Sequence, residues 1–199
     1  MMAVNTRFGL SLIALTGAVI LCGFFTAPSG FSAATLPEHI GYMLRVTARL
    51  GFALLLLAYV TRPFFQLSGW GRGLLLQRRY VGLSAALSLT VHFGYVVAHL
   101  RLSGESLDLL TVVFGGAAFV LAWAMTLTSS RAAQQKLGIY WRRLHLTGMH
   151  YLWLIYMQTF VGRVVAGDSV WAEVMVLLGL VALGIRLSAW LNQRFSRTA

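Results

Sequence analysis

Six apolar runs, each long enough to cross a lipid bilayer as a helix, constrain this chain more than any other feature. A transmembrane helix needs about 20 mostly apolar residues. Hydrophobic residues make up 58% of the 199 residues and charged residues only 11%, which is more apolar surface than a soluble domain of this size can bury. The runs lie at 8–25, 43–61, 80–100, 109–128, 140–161 and 170–191. The sequence therefore predicts an all-α integral membrane protein, a six-helix transmembrane bundle that forms a single domain over residues 1–199.

The charged residues predict how these helices are oriented. The formal net charge is +11, but the basic residues fall between the apolar runs and form no continuous stripe, so membrane lipid and not nucleic acid is the expected partner. Most basic residues lie at one end of the predicted helices, and all five acidic residues lie at the other end. By the positive-inside rule, both termini are expected in the cytoplasm. The chain is expected to be a multi-pass protein of a bacterial-type inner (plasma) membrane.

The first apolar run has a second interpretation. Arg7, the apolar stretch and the residues SAA at 32–34 also resemble a signal peptide. Cleavage would leave five helices in the same orientation. The run is long for a signal, so we expect it to be retained as a helix.

Four of the five histidines lie in only two of the apolar runs, His92 and His99 in the third and His145 and His150 in the fifth. Ionisable side chains are costly in hydrocarbon, so histidines there predict a functional site. The third and fifth helices of a six-helix arrangement run parallel, and a bundle can place them across its core, where cofactor sites are built. Two imidazoles on facing helices can hold a haem iron. The sequence therefore predicts a haem between helices 3 and 5.

Helical geometry limits how these histidines can share a site. His92 and His99 are seven residues apart, so they share a helix face and lie about 10 Å apart along the axis, which leaves room for two stacked sites. His145 and His150 diverge by about 140° around their helix, so at most one of them is expected to face the haem. If the membrane boundary lies at Lys136, His150 is level with His92, which favours His150 as its partner. The choice between His145 and His150 stays open. The fifth histidine, His39, is expected to be a solvated residue of an outer loop.

Arg142 and Arg143 stand at the start of the fifth run and have two interpretations. They can anchor the helix in the cytoplasm, or they can snorkel and bind haem propionates through guanidinium–carboxylate pairs. Zinc is the nearest alternative metal, but it usually requires cysteine, carboxylate or a third histidine as well. Two further classes of function stay open: a haem-free transporter or channel with a histidine proton relay, and a structural subunit of a membrane complex.

Two stretches of the chain resemble the ferric-reductase-like transmembrane family. They are RRYVGLSAALSLTVHFGYVVAHL (78–100) and LTSSRAAQQKLGIYWRRLHLTGMHYLWL (127–154), and TARLGFALLLLAYVTRP (47–63) fits the preceding helix of that family. The motifs are RR–x2–G–x9–H, then L-T-S, then W-R-R-L-H, and the resemblance covers roughly residues 41–165. The family includes the membrane core of NADPH oxidases, the STEAP reductases and the haem subunits of bacterial methionine sulfoxide reductase systems.

The resemblance implies a membrane protein that binds haem b, passes electrons across the membrane and is the electron-transfer component of an oxidoreductase. It matches His92 to the ligand after the RR pair and His145 to the histidine of W-R-R-L-H. Many members have a further histidine about thirteen residues later, where this chain has Met157, Gln158 and Thr159. One haem b is therefore expected, and a second stays open. No GxGxxG motif follows a strand, so a separate flavoprotein reductase or quinol is expected to supply the electrons.

Overall fold

The computed structural model describes residues 6–27, 35–104, 109–167 and 170–198. These residues form seven α-helices and contain no strand, so the all-α prediction is confirmed. The helices are α1 Thr6–Thr26, α2 Leu36–Ser68, α3 Arg72–Ser103, α4 Leu109–Leu127, α5 Arg131–Leu137, α6 Ile139–Val165 and α7 Val170–Thr198. Each of the six predicted runs corresponds to one long helix. The cleavage motif considered at 32–34 lies outside the described residues.

The helices extend beyond several of the predicted boundaries, for example to Ser68 at the end of α2 and to Arg72 at the start of α3, and two differences matter most. First, α2 begins at Leu36 and not near residue 43, and Pro37 fits there because the first turn of a helix has no intrahelical acceptor for its N–H groups. Second, the predicted inner loop contains the short helix α5, which begins after Ser130. The Ser130 hydroxyl accepts a hydrogen bond from the backbone N–H of Ala133 at 3.0 Å. An apolar run in the sequence ends at a charged residue, whereas the hydrogen bonds of a helix continue past it. The predicted helices were therefore too short.

Five of the helices in the described ranges are long and apolar enough to cross a membrane, namely α1, α2, α3, α4 and α7. The long helix α6 is not among them, because His145, His150 and Gln158 make it more polar. Its 27 residues nevertheless correspond to about 40 Å, more than the thickness of a hydrocarbon core. The integral membrane class is thus supported by five helices, and the crossing by α6 stays a prediction.

Four helices form a ring in which the two histidine-bearing helices lie on a diagonal. α2 and α4 each pack against both α3 and α6, whereas no Cα atom of α3 lies within 8 Å of one in α6 in the part of the chain that is described. α1 packs on α2 and α3, and α7 packs on α2 and α6. Small and flexible apolar residues fill the core of the ring, including Ala85, Ala118, Ala122, Met125 and Leu152.

Gly51 lets α2 approach α6 closely. A Cβ atom at this position would lie 2.7 Å from the Tyr156 hydroxyl oxygen and 3.5 Å from Oγ of Ser88. Beside it, Phe52 stacks on Tyr156 with 4.9 Å between the ring centroids. Small residues at helix contacts allow this kind of close packing in membrane bundles.

Large apolar side chains cover the outside of the bundle. Examples on five different helices are Leu15, Leu57, Val120, Leu154 and Leu180, all of them exposed. Exposed apolar surface on every long helix is unfavourable in water and favourable in lipid. The surface therefore agrees with a bundle that has lipid around it.

His39 is buried, so the prediction of a solvated loop histidine is wrong. Only 2% of its surface is exposed. Its ring lies edge-on to Phe24 of α1, with 5.1 Å between ring centroids, and 6.5 Å from the ring of Tyr95 of α3. The reason is the early start of α2, which places residue 39 in the first turns of a packed helix.

Candidate functional site

His92 is half-buried on α3 and turns its Nδ1 atom to Thr47 of α2, with 3.0 Å between Nδ1 and Oγ1. Thr47 is completely buried, and its hydroxyl donates a hydrogen bond to the Met43 carbonyl oxygen at 2.7 Å. Because a hydroxyl has only one hydrogen, Oγ1 must accept the hydrogen bond of Nδ1–H. The lone pair of His92 therefore lies on Nε2. A histidine that binds a metal usually donates its other ring N–H to the protein in this way.

His150 on α6 has the same tautomer through a different contact. Its Nδ1 lies 2.7 Å from the Leu146 carbonyl oxygen. A carbonyl can only accept, so Nδ1 carries a hydrogen, and in the neutral imidazole the lone pair lies on Nε2. The side chain is exposed overall, yet its ring packs edge-on against the buried Tyr59 of α2, with 5.5 Å between centroids. The imidazole ring of His150 thus lies on the side of α6 that meets α2.

His145 has the opposite tautomer. Its Nε2 lies 3.2 Å from Oγ1 of Thr128, and that hydroxyl donates to the Ala124 carbonyl oxygen at 2.7 Å. Nε2 must therefore donate. The ring stacks on Trp141 at 4.2 Å between centroids, and Nε1 of Trp141 donates to the Thr128 carbonyl oxygen at 2.8 Å. His145 and Trp141 together attach the start of α6 to the end of α4.

The other predicted site residues lie at the surface. His99 is exposed near the C-terminal end of α3, and Arg142 and Arg143 are exposed near the start of α6. In the described ranges, no three histidine, cysteine, aspartate or glutamate side chains come together as a metal site.

His92 and His150 lie at different depths of the bundle. Their partners on α2, Thr47 and Tyr59, are twelve residues apart, which is about 18 Å along a helix. The structure therefore does not bring these two side chains together, and the level arrangement suggested by counting from Lys136 is not found. Lys136 belongs to the separate helix α5, so residues counted from it do not measure depth along α6.

A group of residues that the sequence analysis did not single out surrounds Tyr59. Pro63 lies inside α2 and has no N–H, so the Tyr59 carbonyl lacks its usual helical donor. Arg186 of α7 supplies a donor, with 3.2 Å between Nη1 and the Tyr59 oxygen, and its guanidinium carbon lies 4.3 Å from the centroid of the Tyr59 ring. Arg78 of α3 donates from Nε to the neighbouring Ala58 carbonyl at 2.9 Å.

One signal in the sequence could have indicated this group. Arg186 is the only basic residue in the apolar run 170–191, and a lone cation at depth predicts a specific partner. Its partner could not be predicted, because Tyr59 lies 127 residues earlier in the chain.

Long apolar helices, a lipid-compatible surface and histidines on two diagonal helices define an all-helical integral membrane protein. The chain is 28% identical over 188 residues to the protein-methionine-sulfoxide reductase heme-binding subunit MsrQ of Enterobacter sp. (strain 638), covering 86% of this chain and 84% of the relative. It is 31% identical over 148 residues to the protein of the same name from Cronobacter sakazakii, covering 66% and 72%. The chain therefore belongs to the family of MsrQ heme-binding subunits, and the ferric-reductase-like resemblance is confirmed. No protein-family model and no solved structure matches the chain.

Proposed function

We propose that the chain is a haem b-binding membrane subunit that passes electrons across the membrane in support of a protein-methionine-sulfoxide reductase. The name of its relatives assigns them haem binding and a place in such a reductase. The observation that carries the proposal is the shared tautomer of His92 and His150. Both imidazoles donate Nδ1–H to a protein oxygen and keep the Nε2 lone pair, the arrangement that an axial haem ligand needs.

The hydrogen bonds favour His150 over His145 as the haem-facing residue of α6. Nε2 of His145 donates to Thr128 and has no lone pair to offer. Its Nδ1 lies closer to the backbone of its own residue and is the more hindered nitrogen. We therefore assign His145 to the attachment of α6 to α4, and His150 to the cofactor.

The depths of His92 and His150 support two haem positions and not two ligands on one iron. A haem at each position would supply reversible one-electron chemistry. The chain itself orients the imidazole of His92 through Thr47 and that of His150 through Leu146. Buried apolar residues of α2, α3, α4 and α6 form the core of the bundle between these helices. Two positions separated along the bundle axis suit transfer between the two membrane faces.

This function needs α6 to cross the bilayer as the sixth span of a single domain. Support comes from its length and from its packing against α2, α4 and α7. With six spans both termini lie on one side, and the positive-inside rule places them in the cytoplasm of a bacterial cell.

A separate flavoprotein reductase or quinol is proposed as the electron donor. The predicted cytoplasmic ends of the helices expose Arg72, Arg79, Arg131 and Lys136. This surface attracts an acidic protein, and such attraction weakens with salt. The experiment supplies either NADPH with a flavoprotein reductase, or a quinol, and follows haem reduction at rising ionic strength. We expect the rate with the reductase to fall with salt, and a rate that salt does not change would contradict docking on this surface.

The haem content of histidine variants tests the cofactor assignment. The purified full-length chain should show a Soret band and a reduced α-band, and dithionite should reduce it. His92→Ala and His150→Ala should each lower the haem-to-protein ratio to about half, because each variant removes one iron bond and leaves the other site intact. His145→Ala should keep the ratio of the parent chain and lose thermal stability.

Other results would change the assignment in defined ways. Complete haem loss in both His92→Ala and His150→Ala, with the helices still folded by circular dichroism, would mean that one iron needs both residues. Haem loss in His145→Ala with retention in His150→Ala would reverse the choice between the two. A colourless parent chain would contradict the proposed function and favour a haem-free transporter or a structural subunit.

A further inference from the structure

Two arginines from two helices lie around Tyr59. Arg186 of α7 and Arg78 of α3 donate to the adjacent carbonyls of residues 59 and 58, whereas the nearby Arg62 of α2 is exposed. Each guanidinium has five N–H donors. One donor from Arg186 replaces the N–H that Pro63 lacks, and one from Arg78 reaches Ala58. Support of the α2 backbone therefore uses only a small part of the donors of this group.

No carboxylate in the described ranges balances these charges. Glu38 and Glu173 are the acidic residues described there, and they lie in the first turns of α2 and α7. Glu38 is about 30 Å along α2 from Tyr59, and Glu173 is about 20 Å along α7 from Arg186. Arg78 and Arg186 are partly buried, and cations without a counter-charge are unfavourable where little water reaches them. The arginines therefore favour a bound anion.

Tyr59 adds a second, independent observation. Its side chain is 0% exposed, and its hydroxyl makes no hydrogen bond to any described residue. Buried polar atoms nearly always have a partner. A phenolic donor whose ring lies 4.3 Å from a guanidinium carbon suits a ligand with anionic oxygen atoms.

The propionate groups of the proposed haem carry such oxygen atoms. His150 and Arg186 contact the same Tyr59 ring, at 5.5 Å and 4.3 Å from its centroid. We infer that Arg186, Arg78 and Tyr59 bind the propionate carboxylates of the haem that faces His150, an assignment that rests on the proposed function. The sequence assigned this role to Arg142 and Arg143, whose side chains are exposed near the start of α6. A phospholipid phosphate is the other source of anionic oxygen atoms, and the test separates the two.

The test compares haem with haem dimethyl ester, in which both propionates are neutral. The full chain carries His92→Ala, so that only the site of His150 is loaded, and it is produced without haem and placed in phosphatidylcholine nanodiscs. Absorbance titrations give the affinity for each ligand. We expect haem to bind about tenfold or more tightly than the ester, because charge-assisted hydrogen bonds of this kind contribute that much. Arg186→Gln should remove this preference by weakening haem and leaving the ester unchanged.

Matched variants keep the result interpretable. Arg142→Gln removes an exposed arginine at the start of α6 and should leave the preference for haem over the ester intact. If Arg186→Gln fails to fold, Arg78→Gln tests the same site. Arg186→Lys keeps the positive charge and should therefore keep part of the preference for haem. Equal affinities for haem and ester in the His92→Ala parent would overturn the inference, and a preference lost only in Arg142→Gln would return the role to the residues chosen from the sequence.

Two further outcomes identify what else has failed. An anionic phospholipid in the site would leave the preference for haem unchanged in Arg186→Gln, and the variant would instead lose the stabilisation that phosphatidylglycerol, compared with zwitterionic phosphatidylcholine, gives the parent chain in thermal unfolding. That result overturns the inference and leaves the proposed function intact. Absence of any haem spectrum in the parent chain overturns both.

Discussion

Two threonines decide which nitrogen of a neighbouring histidine carries the hydrogen. Thr47 and Thr128 both donate to the carbonyl four residues earlier and so can only accept from an imidazole. Thr47 meets Nδ1 of His92, whereas Thr128 meets Nε2 of His145. In the neutral imidazoles, the threonine contact therefore leaves the lone pair on Nε2 of His92 but on Nδ1 of His145. The sequence could single out the histidines, but the tautomers depend on contacts 45 and 17 residues away in the chain.

Thr47→Val tests whether this hydrogen bond prepares His92. Valine has nearly the same shape but accepts no hydrogen bond, so Nδ1–H loses its buried partner. Loss of an outer partner of a metal-binding histidine typically lowers affinity about 10- to 100-fold. We expect the haem at the His92 position to bind more weakly and its midpoint potential to change, measured by haem titration and potentiometry.

The serine variant is the matched control for that substitution. Thr47→Ser keeps the hydroxyl and should retain the affinity and the potential of the parent chain. Thr128→Val should change neither, since His145 is assigned a structural role. A Thr47→Val protein with unchanged affinity and potential would show that Thr47 only fills space.

At the scale of the helices, Gly51 fixes how closely α2 meets α6. Alanine is ordinarily the better residue inside a helix, by roughly 0.5–1 kcal/mol. At Gly51 its Cβ would meet the Tyr156 hydroxyl at 2.7 Å, so α2 or Tyr156 must move. We expect Gly51→Ala to lower the melting temperature of the purified protein, measured by thermal unfolding in detergent.

A neighbouring glycine and a rescue variant control that experiment. Gly82 in α3 has nothing within 4 Å of its missing Cβ, so Gly82→Ala should keep or raise the melting temperature. Tyr156→Phe removes the oxygen atom in the way and should restore most of the loss in the Gly51→Ala chain. Equal melting temperatures for Gly51→Ala and Gly82→Ala would mean that the side chain of Tyr156 moves away from residue 51 at little energetic cost.

The helices could be predicted from the sequence better than their ends could. Apolar composition located all six long helices, because it reports what lipid accepts. It did not locate the start of α2 at Leu36 or the helix α5, since both consist of polar and charged residues held by backbone hydrogen bonds and by the Ser130 cap. The burial of His39 followed from the first of these errors, because a residue assigned to a loop was in fact part of a packed helix.

At the scale of the whole molecule, the distribution of charge predicts a cytoplasmic location for both termini. Alkaline phosphatase is active only outside the cytoplasm, so it reports the side of a fusion point. Fused after Ala199 it should be inactive, and inserted in the connection between α3 and α4 it should be active. The opposite pattern would invert the proposed topology, and activity at both points would mean that α6 does not cross the bilayer.

The arrangement of the helices in the ring could be predicted only in part. Parallel directions for the two histidine-bearing helices follow from counting spans, and a facing position across the core was a reasonable expectation. The relative depth of His92 and His150 could not be predicted from the sequence. It depends on the axial position of α2 relative to α3 and α6, which the contacts of Thr47, Gly51 and Tyr59 determine.

The polar character of α6 also bears on how the protein is made. His145, His150 and Gln158 each oppose transfer of the emerging segment from the translocon into lipid. α7 is more apolar, follows directly in the chain and packs against α6, so the two helices are suited to enter the bilayer as a hairpin. Arg186 belongs to α7, and it completes the surroundings of Tyr59 only after the hairpin has entered. The proposed loading of a cofactor near His150 would therefore wait until α7 has been made.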